Sequence, residues 1–86
     1  MYGTLWEDVL IKLRPLLSVK DYTRFKQARL IDILESRAYI RLARKSHEPH
    51  IKEGYEGMVA AILYGLLGME LEVNIIGEDE PLKHVE

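Results

Sequence analysis

Cysteine is absent from this chain, which excludes disulfides and thiolate metal sites and makes a reducing, cytoplasmic compartment the simpler expectation. No apolar run approaches the roughly twenty residues that span a bilayer, so no membrane partner is expected. The N-terminal MYGTLWEDVL carries acids where a secretory leader carries a basic region, so it does not read as a signal peptide. The serines, histidines and acids lack the spacing of a nucleophilic triad or a carboxylate pair. A domain of 86 residues also has little room for a deep pocket, so neither an enzyme nor a cofactor is expected.

What is present suits one small globular domain: 48% of the residues are hydrophobic and 30% charged. The net charge of −2 hides an asymmetry. Residues 1–45 hold ten Lys/Arg against five Asp/Glu, whereas residues 46–86 hold two against nine. Internal complementarity on one folded surface is the simpler reading; opposed faces for partners of opposite sign are the sharper one.

The stretch from Pro49 to Gly68 carries Ile51, Tyr55, Met58, Val59, Ile62, Leu63, Leu66 and Leu67 at helical spacing, which predicts a long helix. Pro49 suits its first turn and Gly68 its left-handed terminus. Upstream, Thr4-Leu5-Trp6-Glu7 reads as a capping box opening a helix that Pro15 should end near Leu13 or Arg14. Ser18 caps a second helix through about Gln27, with Val19, Tyr22 and Phe25 as its inner face. Leu30–Leu34 and Ala38–Ala43 read as a hairpin around Glu35-Ser36-Arg37. Ile31 and Ile33 are expected to point inward with Ala38, Ile40 and Leu42, leaving Tyr39 and Arg41 wet. Leu71, Val73 and Ile75 alternate as a third strand. The predicted order is helix, helix, strand, strand, helix, strand: an α+β domain over residues 1–76, with 77–86 as an acidic flexible tail or linker.

Three features invite a functional reading. His47 and His50 with Glu53 could approach a metal, but Pro49 intervenes and no third ligand is evident, so no metal is expected. Gly54-Tyr55-Glu56-Gly57 matches a bare backbone-clamping Gly-x-x-Gly, yet its acids would repel phosphate; close packing of another backbone is the preferred explanation. Leu5 and Trp6 are adjacent, so their side chains diverge by about 100° on a helix, and one of them could stay outside as an apolar contact patch.

In order, Leu5-Trp6, Leu17-Ser18, Asp21-Tyr22 with Phe25, the hairpin, Tyr55 and Leu71-Glu72-Val73 resemble the N-terminal domain of the bacterial replication initiator DnaA. The resemblance runs from Leu5 to about Ile76 and implies a KH-like fold acting as a protein-interaction module. It implies self-association through Leu5 and Trp6. It also implies docking of the replicative helicase or of initiation regulators at Asp21, with Tyr22 and Phe25 contributing. Where family members carry an Asn and an exposed Phe after the second strand, this chain has Arg44-Lys45-Ser46-His47. The alternative function is a single-stranded nucleic-acid-binding module using Arg37, Arg41, Arg44 and Lys45 around the second strand.

Overall fold

The computed structural model describes residues 2–51 and 54–78, apart from the side chain of Glu48. Helix α1 (Gly3–Leu13) follows Tyr2, and no side chain caps it. The Trp6 N–H already bonds the Tyr2 carbonyl at 2.9 Å, so Thr4 lies inside the helix and the expected capping box does not form. Pro15 acts as predicted: α1 ends at Leu13, and Arg14–Leu16 makes one 3-10 turn. Leu17 is extended and Ser18 caps α2 (Val19–Gln27), its Oγ accepting from the Asp21 N–H at 3.2 Å.

Strands β1 (Arg29–Leu34) and β2 (Arg37–Arg41) pair antiparallel, and β3 (Glu72–Ile76) joins β2 in parallel, giving the order β1-β2-β3. The hairpin loop is only Glu35-Ser36, with φ of 50° and 65°. Two consecutive left-handed residues are the signature of a type I′ turn, whose twist matches that of the strands. Neither residue is Asn or Gly, and each therefore carries a steric penalty of roughly 1–2 kcal/mol. The strands on either side offset it, which is why the turn residues themselves gave no clear signal.

A bulge shifts the β1 register between Leu30 and Asp32. Leu30 faces Ile40 and Ile33 faces Ala38, while Ile31 is the extra residue. The expectation that Ile31 and Ile33 share the inner face is thus corrected: Leu30 takes the place assigned to Ile31. Tyr39 is corrected too, since it lies on the opposite face yet is only 6% exposed.

Helix α3 (Tyr55–Leu67) is shorter than the periodicity suggested. Pro49 lies in a 3-10 stretch, Lys45–His50, and Gly54 has a φ of 89°, a left-handed value that cannot continue a right-handed helix. Ile51 is fully buried all the same, entering the core from the connection. Among the described residues no neighbouring atom lies within 4 Å of a Cβ built on Gly54 or Gly57, so the close backbone approach expected there is not seen among them. Gly68 does end the helix as predicted, with a φ of 73° and its N–H bonded to the Tyr64 carbonyl at 2.8 Å.

The three helices and the mixed sheet form an α+β globule in the predicted element order. Val9 and Leu13 from α1, Phe25 from α2, Ile40 from β2, and Val59 and Leu63 from α3 are all fully buried at its centre. No helix among the described residues is long and apolar enough to cross a membrane. The first two residues of the expected tail are held down: Arg41 donates to the Gly77 and Glu78 carbonyls at 3.4 and 3.1 Å. The Lys45 N–H also donates to the Glu78 carboxylate at 2.9 Å. The rest of that tail, residues 79–86, lies outside the described residues, as does Glu53.

Candidate functional site

Trp6, Asp21, Phe25 and Tyr55 converge on one knot between α1, α2 and the start of α3. Trp6, Val9, Leu10 and Leu13 form the buried stripe of α1, at the i, i+3, i+4, i+7 spacing. Trp6 is therefore the first member of the inner face. It is 6% exposed, and its indole Nε1–H donates to the Ala28 carbonyl at 2.9 Å. Leu5, about 100° away around the helix, is partly buried against the same core. The expected apolar patch at Leu5 and Trp6 is thus not an open surface, because the indole has a partner that holds α1 to the end of α2.

The knot continues through rings. Trp6 and Phe25 lie 6.4 Å apart between centroids, and Phe25 meets Tyr55 edge-on at 5.5 Å. Phe25 is fully buried, so its expected part in partner contact becomes a packing role. Asp21, at the first turn of α2, accepts on one oxygen from Arg24 at 2.6 Å and on the other from the Tyr55 hydroxyl. Asp21 is thereby tied to two groups inside the domain, and its carboxylate sits at the helix N-terminus where the dipole favours negative charge.

The bond to Asp21 holds the Tyr55 hydroxyl above the ordinary phenol value of 10.0; burial and the Asp21 charge act in the same direction, while Arg24 opposes them. A raised folded-state value means that this contribution to stability is fully present below pH 10.0 and is lost as pH rises through the raised value. Replacing Tyr55 by Phe should therefore remove about 1–2 kcal/mol near neutral pH. The gap between wild type and variant should close at alkaline pH, and urea unfolding curves at pH 7 and above pH 10 measure it.

Val19 is the main departure. It is 82% exposed, although it was expected on the inner face of α2. Helix geometry gives the reason: Phe25 marks the inner direction, Tyr22 lies about 60° from it, and Val19 about 120°. Arg14, Leu17, Val19 and Tyr22 line a shallow hollow of about 220 Å³ where the 3-10 turn meets α2. Leu16, in that turn, is 56% exposed. This apolar junction was not recognised in the sequence. The 60° and 120° offsets were the signal that could have revealed it.

The basic residues around β2 do not form one open patch. Arg37 pairs with Glu72 at 3.2 Å, and its pKa is raised first by a hydrogen bond to Tyr39 and then by the Glu72 charge. Arg41 is engaged with the Gly77 and Glu78 carbonyls, whereas Arg44 and Lys45 are exposed in the following connection. His47 has an Nδ1 that is buried without a hydrogen-bond partner among the described residues. Burial lowers its pKa, with Arg24, Arg44 and His50 adding to the effect and Glu78 opposing it. No group of three or more metal-binding side chains occurs among the described residues.

No family model, curated protein or solved structure matches this chain.

Proposed function

We propose that the chain is a non-enzymatic protein-interaction domain of the kind found at the N-terminus of the bacterial replication initiator DnaA. It self-associates and docks the replicative helicase or regulators of initiation. The observation that carries the interaction role is the open apolar junction of α1 and α2, where Val19 and Leu16 stand exposed beside the hollow lined by Leu17 and Tyr22. The replication assignment is supported by the ordered motif from Leu5 to Val73. Its Trp6, Asp21, Phe25 and Tyr55 belong to a single linked cluster between the same two helices and the start of α3.

On this reading the motif residues build the platform and their neighbours make the contact. Leu17 and Tyr22, partly buried where they line the hollow, are motif residues that can do both. A partner side chain entering the hollow would cover Val19, Leu17 and Tyr22 and bring its polar surroundings against Arg14. The nucleic-acid alternative is weakened by the internal pairing of Arg37 and Arg41, which leaves fewer cations for phosphate.

Val19→Asp should abolish or strongly weaken both self-association and helicase binding, with the melting temperature within about 2 °C of wild type, because the side chain is exposed. Sedimentation equilibrium and titration with purified replicative helicase read the two activities. Unchanged association in both would remove the junction as the contact surface, and binding to neither by the wild type would remove the function.

A further inference from the structure

A second surface, between α3 and β3, differs in chemistry from the α1–α2 junction. From Gly54 to Glu78 the chain contains no Lys, Arg or His. Glu56, Ala60 and Tyr64 recur every four residues on α3 and so share one side of it. Ala60, Ala61 and Tyr64 from α3 face Glu70, Leu71 and Glu72 across an open hollow of about 520 Å³. Tyr64 is 55% exposed, and Met69, in the connection from α3 to β3, 48%. Glu70 makes no ion pair among the described residues, and Glu72 meets Arg37 only on its β2 side.

The backbone of β3 borders this hollow and is an edge of the sheet. The Glu72 N–H donates to the Ser36 carbonyl at 2.8 Å, and the Ile76 carbonyl accepts from Leu42 at 3.0 Å. Glu72, Asn74 and Ile76 therefore turn their backbone groups toward β2. Since the direction alternates along a strand, Val73 and Ile75 turn theirs to the far side, where no strand lies among the described residues. Strand β3 contains neither Pro nor Lys, the residues that commonly block edge pairing.

We infer that the α3–β3 groove accepts an extended segment of a partner protein, in which basic and apolar residues alternate, as a fourth strand beside β3. The faces of β3 fit that alternation. Leu71 and Val73 point to the core side, so the apolar residues of the incoming strand lie over Ala60, Ala61 and Tyr64. Glu72 alternates with Leu71 and Val73 at the start of β3 and, with Glu70 in the connection just before it, rims the hollow, where the basic residues pair with both. Arg37 already makes such a pair with Glu72 from the β2 side. The backbone bonds supply affinity, and the acid-only rim selects the sign of the partner.

The test titrates the isotope-labelled full chain with the capped peptide (Lys-Val)4, using (Glu-Val)4 and (Lys-Gly)4 as comparators. Saturable binding of (Lys-Val)4, at least tenfold tighter than either comparator, is expected, with hydrogen exchange at the Val73 and Ile75 amides slowed at least tenfold. Glu70→Lys and Ala61→Arg, both at exposed positions, should each weaken binding tenfold or more while leaving the thermal melt unchanged. Equal binding of (Lys-Gly)4 would reduce the effect to charge, and equal binding of (Glu-Val)4 to hydrophobicity; either overturns the inference. So does an absence of binding, or Val73 and Ile75 protection that rises with protein concentration alone, which would make a second copy the occupant. None of these variants touches the α1–α2 junction.

Discussion

Trp6→Ala is expected to lower stability by about 3–5 kcal/mol, the range for removing a buried aromatic side chain. A domain of 86 residues has a total stability on the order of 4–13 kcal/mol, at about 0.05–0.15 kcal/mol per residue, so this one change removes a large share of it. The melting temperature should fall by roughly 15 °C or more. Two separate losses contribute. The ring leaves a cavity beside Phe25, and the Ala28 carbonyl, which now accepts the indole N–H at 2.9 Å, is left unpaired. Trp6→Phe separates them: it retains an aromatic ring but orphans the same carbonyl, for a loss of about 1–3 kcal/mol. Urea unfolding of the three proteins should therefore rank wild type, Trp6→Phe, Trp6→Ala in decreasing stability. Equal stability for wild type and Trp6→Ala would mean that the indole does not join α1 to the end of α2. A further consequence concerns association experiments. A Trp6→Ala protein that fails to self-associate has lost its platform, so its failure does not identify Trp6 as a contact.

Phe25→Ala should be as damaging, at about 3–5 kcal/mol, because Phe25 is fully buried and touches rings from two other elements. Its removal takes away the ring between Trp6 of α1 and Tyr55 of α3 as well as emptying the centre of the core. Phe25→Leu keeps most of the volume and should cost only about 1.5 kcal/mol. The two large truncations should not add. With ring centroids 6.4 Å apart, Trp6 and Phe25 share one cavity, so the second truncation costs less once the first has been made. A double-mutant cycle in urea measures this coupling. Strict additivity would show that the two rings are independent anchors and not parts of one knot.

The element order was legible because it depends on local signals that tertiary packing did not override. Pro15 stopped α1, Ser18 capped α2, and Gly68 closed α3. Three of the misread positions share a cause: each is set by a contact or conformation that no short window contains. Ile31 left the inner face because a bulge, fixed by pairing with β2, inserted one residue. The start of α3 moved from Pro49 to Tyr55 because Gly54 adopted a left-handed conformation, while Ile51 remained apolar, buried and in phase by coincidence. Tyr39 was expected to be wet from its alternation with Ile40, yet it is buried.

The candidate site was legible in part. Trp6, expected in self-association, Asp21 and Phe25, expected in partner contact, and Tyr55, a residue of the resemblance, meet in one cluster. Their roles were not legible, because exposure depends on the Trp6–Ala28 bond and on the angle at which α2 presents Phe25. The buried rings left Val19 and Leu16 as the open apolar residues of the junction. Two surfaces of different character result. One is an apolar junction on the first two helices, and the other an acid-rimmed sheet edge beside the third.

On the proposed function, contact is made at the junction while Trp6 stays inside. The chain has a single tryptophan, so one indole N–H resonance reports on it without ambiguity. The most direct measurement is a two-dimensional nitrogen–proton NMR spectrum followed across a dilution series and then on addition of the replicative helicase. Shifts and broadening at the amides of Leu16, Val19 and Tyr22, with the Trp6 indole resonance unmoved and slow to exchange with solvent, are the predicted result. An indole resonance that exchanges rapidly in the dilute protein and shifts on association, with the junction amides unchanged, would contradict the account.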